Sequence, residues 1–298
     1  IHPRGLVACV PGVSSYVGGD ITAGVIACGM RESADLSMLI DIGTNGEIAL
    51  GSRDWIACCA ASAGPAFEGS GVSCGMRAAH GALQKIDIRK GTAGFEVKVA
   101  SIGGQPARGI CGSGYIDALA AMLAAGIIDK NGRIDRTLSD PRIREGADGY
   151  EFVLVFKGEN AAERDIVVTE PDIENLKRSK GAIYSAAAAL VNKVGLRFED
   201  IQRIYIAGGF GTSIDVEKAV MIGLLPDLPR DKFLFVGNTS LAGIREIALS
   251  YGTMEKATGA AREMTYVELC VEPSYMDEYI ASLFFPHTDL GRFPSVRR

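Results

Sequence analysis

Glycines in this chain fall in groups, and several groups directly follow a short apolar run. They lie at Gly18-Gly19, at Gly43 and Gly46, from Gly64 to Gly75, at Gly112 and Gly114, and at Gly208, Gly209 and Gly211. Glycine makes up 37 of the 298 residues, well above a usual share of about 7%. An apolar run, a glycine turn and then a helical pattern describe an α/β protein that takes ligands at the carboxyl ends of its strands.

The rest of the chain fits this class. Residues 37–42, 47–50 and 54–59 read as three short strands joined by tight turns. Residues 83–89 and 95–102 alternate around Gly91 and Gly94 as a hairpin. A helical period runs from Tyr115 to Ala125 and stops at Gly126. Residues 127–165 are polar and turn-rich, with a hairpin expected from Glu151 to Val168. Thr169-Glu170-Pro171-Asp172 is a capping-box pattern that opens a long helix over 172–194. A strand at 204–207, a helix at 213–222, a strand at 232–236 and a helix at 239–250 follow, before a mixed C-terminal segment. On that helix Lys177, Arg178 and Lys180 read as a solvated face, with partner binding as the lesser alternative.

Composition narrows the function. The formal charge is −5 with no basic tract, which argues against a nucleic-acid partner. Every window of about 20 apolar residues is interrupted by Gly, Asp or Arg, so no membrane-spanning helix is expected. The chain opens Ile-His-Pro-Arg, with neither an initiator Met nor a charged-then-apolar leader. It therefore reads as part of a longer protein, without a secretory signal. The seven cysteines stand at 9, 28, 58, 59, 74, 111 and 270, and no two have the two-residue spacing typical of cluster ligands. Reduced thiols packed as small hydrophobes, a cytoplasmic location and no iron–sulfur cluster in this chain are the expectations.

Chemistry begins at Asp41-Ile42-Gly43-Thr44-Asn45-Gly46-Glu47. A carboxylate at a strand end can hold Mg²⁺ through water, and glycines let backbone N–H groups approach phosphate oxygens. Asn45-Gly46 is also a strong turn dipeptide, and a phosphate loop can be built on such a turn. A second element, Ile204-Tyr205-Ile206-Ala207-Gly208-Gly209-Phe210-Gly211, is a strand ending in glycines before a helix. That arrangement can border a base and sugar, although glycine there also serves packing alone.

In order and spacing the two elements resemble the second phosphate motif and the adenosine motif of the superfamily of acetate and sugar kinases, heat-shock chaperones and actin. The segment 18–30 resembles the helix before that phosphate motif, and 237–249 the final connecting helix. The resemblance implies a ribonuclease-H-like half of an actin-like ATPase fold, a mixed sheet flanked by helices with inserted hairpins. Residues 1–36 would then end a preceding half-domain and its connecting helix. Residues 37–298 would form the second half-domain, with an insertion around 127–168.

Further stretches narrow the likeness. Ala63-Gly64-Pro65-Ala66-Phe67-Glu68-Gly69, Cys74-Gly75-Met76-Arg77-Ala78, Gly109-Ile110-Cys111-Gly112-Ser113-Gly114, Gly223-Leu224-Leu225-Pro226 and Phe284-Phe285-Pro286 resemble the C-terminal domain of reductive activators of corrinoid proteins. That family implies an ATPase that helps return a Co(II) corrinoid to Co(I) in methyltransferase systems. It also implies a corrinoid-carrying partner, ATP with Mg²⁺, and an electron donor acting through an upstream [2Fe–2S] ferredoxin domain. A homodimer fits as well. The first phosphate motif, another Asp-Gly-Thr turn, would lie ahead of Ile1, so this chain by itself is expected to be inactive.

The resemblance gives each residue a role. Asp41 would bind Mg²⁺ or orient the attacking water, and Gly43, Thr44, Asn45 and Gly46 would hold the β- and γ-phosphates. Gly208, Gly209, Phe210 and Gly211 would border the adenosine. Two loops compete for the remaining phosphate contacts, one at Gly64 to Glu68 and one at Gly112, Ser113 and Gly114, where a helix start offers donors. Glu68 is read as a catalytic or partner contact, or else as a loop-capping ion pair. The segment from Gly64 to Arg77 is a candidate relay to the partner. Two other functions stay open: a small-molecule kinase of the same superfamily, and a non-catalytic nucleotide-binding module.

Overall fold

The computed structural model describes residues 4–5, 7–92, 94–209 and 214–296. In chain order its first elements are α1 (Gly19–Ala27), β1 (Ser37–Ile42), β2 (Gly46–Gly51), β3 (Ile56–Ala61), β4 (Ala82–Lys90), β5 (Phe95–Ser101), β6 (Gly109–Ile110) and α2 (Gly112–Ala124). There follow β7 (Ile143–Gly146), β8 (Gly149–Val155), β9 (Ile166–Thr169), α3 (Glu170–Lys193), β10 (Arg203–Gly208), α4 (Val216–Met221) and β11 (Phe233–Gly237). The last are α5 (Thr239–Leu249), α6 (Tyr251–Glu263), β12 (Thr265–Tyr266) and α7 (Tyr275–Ser282). No described helix is long and apolar enough to cross a membrane.

The main sheet has the order β11-β10-β1-β2-β3-β12. β1, β10 and β11 are parallel, and β2 runs antiparallel to both β1 and β3. This is the ribonuclease-H-like arrangement of an actin-like half. Alternation along each strand splits the side chains between two layers. Leu39, Ala49, Cys58, Tyr205 and Ala207 pack on one face with Val17, Ile21 and Val25. Met38, Ile40, Ile42, Ile48, Leu50, Cys59, Ile204 and Ile206 pack on the other with Ile183, Ala186 and Leu190 of α3.

Two small sheets flank this core, ordered β5-β4-β6 and β7-β8-β9. The hairpins expected at 83–102 and 151–168 are present, and β7 adds a strand that the sequence pattern did not mark. The third strand starts at Ile56 rather than at residue 54, because Ser52 to Trp55 make the turn, with the Ser52 N–H bonded to the Trp55 carbonyl at 2.9 Å. α3 begins on the expected capping box: Thr169 Oγ1 accepts from the Asp172 N–H at 3.2 Å, and Asp172 Oδ2 accepts from the Thr169 N–H at 3.1 Å.

The solvated face expected on α3 is not there. Arg178 is exposed, but Lys177 donates to the Asn131 carbonyl at 2.9 Å and pairs with Glu174 at 2.6 Å. Lys180 is wholly buried, its Nζ donating to the carbonyls of Phe284 and, at 2.7 Å, Pro286. A strap from the far end of the chain covers that face, and burial holds the Lys180 ammonium well below its usual pKa. Not every cysteine is packed away either, since Cys9 and Cys270 are exposed.

Candidate functional site

At the carboxyl end of β1 three acidic residues, Asp20, Asp41 and Glu47, lie close enough to influence one another. Register places Asp41 opposite Glu47 on β2 and beside Ala207 on β10. Asp41 has period-2 spacing from Leu39, so its carboxyl emerges on the α1 face, near Asp20 in the first turn of α1. Burial first, and Asp20 second, push the Asp41 carboxyl up to about 6. Glu47 is pushed up to about 7 by burial, then by Asp20 and Asp41, against opposing hydrogen bonds from its own backbone and Asn45. Glu47 was assigned no role by the sequence, although its symmetry with Asp41 about Thr44 was a usable signal.

Gly208 ends β10 at φ +111° against this strand end. A Cβ there would meet the Ile42 carbonyl oxygen at 2.3 Å and Asp41 Oδ1 at 3.1 Å. Only glycine permits such an approach in this conformation. The next residue, Gly209, opens into a cleft of about 430 Å³ lined also by Glu68, Arg77, Gly112 and Ser113. Phe210 and Gly211 lie outside the described residues.

α2 begins at Gly112, three residues earlier than its apolar period suggests, so Gly112, Ser113 and Gly114 form its first turn. No side chain caps it, and Cys111 at the N-cap instead turns its thiol to the Leu83 carbonyl at 3.1 Å. The positive end of the helix is thereby presented to the cleft. Gly114 faces away, where a Cβ would strike the Leu83 carbonyl at 2.1 Å, so its role is close packing on β4. Lys218 of α4 holds α2 in place from behind: its Nζ donates to Asp117 Oδ2 at 2.6 Å and to the Ile86 carbonyl at 3.0 Å.

The two loops expected to compete for phosphate instead share one space. Glu68 closes a single 3-10 turn, Pro65–Glu68, and its carboxylate accepts a hydrogen bond from the Thr44 hydroxyl. Thus the β1–β2 turn, the 64–69 turn and the start of α2 are linked around the cleft. Glu68 forms no ion pair among the described residues. Not every expected residue reaches the cleft. Gly64 opens onto a separate groove with Arg178 and Ser179, and Asn45 onto another with Tyr16 and Tyr279. Gly46 is pressed against Ile183 of α3. No group of three or more His, Cys, Asp or Glu among the described residues has metal-binding geometry.

Comparison with known proteins places this architecture. Residues 35–297 match the family model described as the C-terminal domain of RACo, the ASKHA domain, and residues 1–33 match the RACo middle region. A corrinoid activation enzyme, RamQ, of Eubacterium limosum is 34% identical over 96% of this chain and 48% of its own length. A reductase of Methanosarcina barkeri named for a Co(II) methylated amine-specific corrinoid protein is 27% identical over 92% of this chain and 51% of its own. The chain thus spans about half the length of these relatives. A solved reductive activator for corrinoid, iron-sulfur protein superposes with a TM-score of 0.94 at 51% identity, covering 99% of this chain and 46% of that one. With the family match spanning nearly all of its residues and the fold in agreement, the chain belongs to the RACo C-terminal ASKHA domain family.

Proposed function

We propose that this chain is the ATP-hydrolysing domain of a corrinoid-protein reductive activator. In this reading the domain binds Mg·ATP in the cleft beside the end of β1, and hydrolysis to ADP and phosphate is coupled to one-electron reduction of a Co(II) corrinoid to Co(I). The observation that carries the reading is the meeting of the uncapped α2 N-terminus, Arg77 and Gly209 in one cleft, beside Gly208 and Asp41. The names of the relatives support the corrinoid partner. An electron delivered through an upstream [2Fe–2S] domain, a homodimer and a cytoplasmic location complete the proposal.

The residues fit a magnesium nucleotide. Asp20, Asp41 and Glu47 crowd negative charge at one strand end, where burial first and neighbouring carboxylates second raise the Asp41 and Glu47 carboxyls, a charge that a divalent cation relieves. Bound there through water, Mg²⁺ would neutralise charge on the phosphates. Asp41 would then orient the attacking water, while Gly43, Thr44 and the first N–H groups of α2 would hold phosphate oxygens. Gly208 and Gly209 let the sugar lie close to the backbone. In this reading residues 1–36 end a preceding half-domain, and an Asp-Gly-Thr turn of that half would hold the other side of the phosphates.

The test mixes the full-length gene product, Mg·ATP and a reductant with a Co(II) corrinoid protein encoded beside it. ATP-dependent growth of the Co(I) absorption band is expected. A Co(I) yield that does not depend on ATP would refute the reading.

A further inference from the structure

We propose that Arg77 reads the terminal phosphate of the nucleotide. Its guanidinium takes that group together with the Ser113 hydroxyl and the first N–H groups of α2, so that the site prefers a nucleoside triphosphate to a diphosphate. The proposal rests on the nucleotide reading above and names the residue that sets its specificity.

Arg77 stands where backbone pairing fixes it. The Ile110 N–H donates to the Cys74 carbonyl at 2.8 Å, and the Met76 N–H to the Ile110 carbonyl at 2.9 Å. The pairing is close, because a Cβ on Gly109 would meet the Cys74 carbonyl oxygen at 2.7 Å. Arg77 follows Met76 directly, and α2 starts two residues beyond Ile110. The guanidinium-bearing residue and the helix start therefore enter the cleft of about 430 Å³ from adjoining, hydrogen-bonded backbone.

The guanidinium is left without a partner. Arg77 is exposed, and its side chain makes no ion pair or hydrogen bond among the described residues. Glu68 lines the same cleft, yet its carboxylate accepts from the Thr44 hydroxyl instead. A guanidinium not neutralised by the acid that shares its cleft is available to an anion from outside. Ser113 is a second, independent sign. It is 3% exposed, and among the described residues its hydroxyl meets only the Cys111 thiol, at 3.3 Å. Sulfur is a weak acceptor, and that thiol is already turned to the Leu83 carbonyl at 3.1 Å. A buried hydroxyl on the cleft wall, so weakly held, gains by donating to an incoming oxygen.

The donors identify the phosphate. A guanidinium fork offers two parallel N–H bonds, the Ser113 hydroxyl another, and the uncapped helix start its own N–H groups. A terminal phosphate presents three acceptor oxygens and about two negative charges, whereas a phosphate inside the chain has an oxygen fewer free and about half that charge. The terminal group alone matches the whole donor set. Its loss on hydrolysis leaves Arg77 without a ligand, which makes the diphosphate the weaker-held species.

The experiment measures Mg·AMP-PNP and Mg·ADP affinity by calorimetry on the full-length protein as wild type, Arg77→Ala, Arg77→Lys and Ser113→Ala. Arg77→Ala should weaken AMP-PNP by about 30-fold, as the loss of charge-assisted hydrogen bonds implies, and ADP by no more than about 2-fold. Arg77→Lys keeps the charge without the fork and should fall between wild type and Arg77→Ala. Ser113→Ala should weaken AMP-PNP by about 5-fold. Thermal midpoints of both Arg77 variants should match wild type, since no intramolecular bond is lost. Equal weakening of AMP-PNP and ADP would place Arg77 on an internal phosphate and overturn the proposal. Unchanged AMP-PNP affinity in Arg77→Ala would overturn it too, as would a lowered midpoint in both Arg77 variants, which marks a structural residue. No binding of either nucleotide by wild type defeats the nucleotide reading itself.

Discussion

Asp41 and Glu47 face each other directly across the β1–β2 pair, and burial pushes both carboxyls up, to about 6 and about 7. A protein that only had to be stable would place opposite charges, or none, at such a pair. Crowding two acids there costs stability, which is the expected mark of a site arranged for charge handling.

The first prediction separates chemistry from packing at Asp41. Asp41→Asn in the full-length protein should lower ATP turnover at least ~100-fold while leaving the thermal midpoint unchanged or slightly higher. The amide mimics the neutral acid that the fold prefers. Turnover and differential scanning fluorimetry on the same preparation check both halves.

The Glu47 prediction concerns pH. Its folded pKa of about 7 exceeds the unfolded value of 4.5, so the native state binds more protons between those values and stability falls as pH rises through that window. Glu47→Gln should therefore gain about 1–2 kcal/mol at pH 7.5, discounted for solvent screening, and nothing below pH 4. Urea midpoints at the two pH values decide it.

Behind α2, Lys218→Met leaves the fully buried Asp117 carboxylate without a counter-charge and with only the Ile86 N–H on Oδ2, its other oxygen having no partner among the described residues. A loss of about 3–5 kcal/mol is expected from the buried charge left behind. Lys218→Met combined with Asp117→Asn should recover part of it, as a double-mutant cycle in urea would show.

At the C-terminal strap, Lys180→Met leaves the Phe284 and Pro286 carbonyls without their donor. The expected cost is about 2–4 kcal/mol. Amide exchange should loosen first at the Phe285 N–H, which is bonded to the Lys130 carbonyl.

Local chemistry was readable in the sequence, and long-range encounters were not. The strand–glycine–helix order, the Thr169 capping box and the β4–β5 hairpin each depend on residues close in sequence, and each stands where expected. Lys180 depended on a strap more than 100 residues away, so helical period alone mistook it for a surface residue. At the site, Asp41, Gly208 and the α2 start were marked by motif. The pairing of Asp41 with Glu47 and of Thr44 with Glu68 needed strand register and the path of the 64–69 turn. Gly46 and Gly114 carried the same signal as the phosphate glycines because close packing and phosphate approach both demand a missing side chain.

Similarity divides the chain between residues 33 and 35, yet α1, on the near side of that division, lays Ile21 and Val25 over Leu39, Ala49 and Tyr205 on the far side. Heredity and folding have therefore cut this molecule at different places. A chain begun at residue 35 would bare one greasy side of its central sheet to water, forfeiting about 1.5–3 kcal/mol for each large side chain uncovered. The two regions are bound to travel together, since the later one borrows its roof from the earlier.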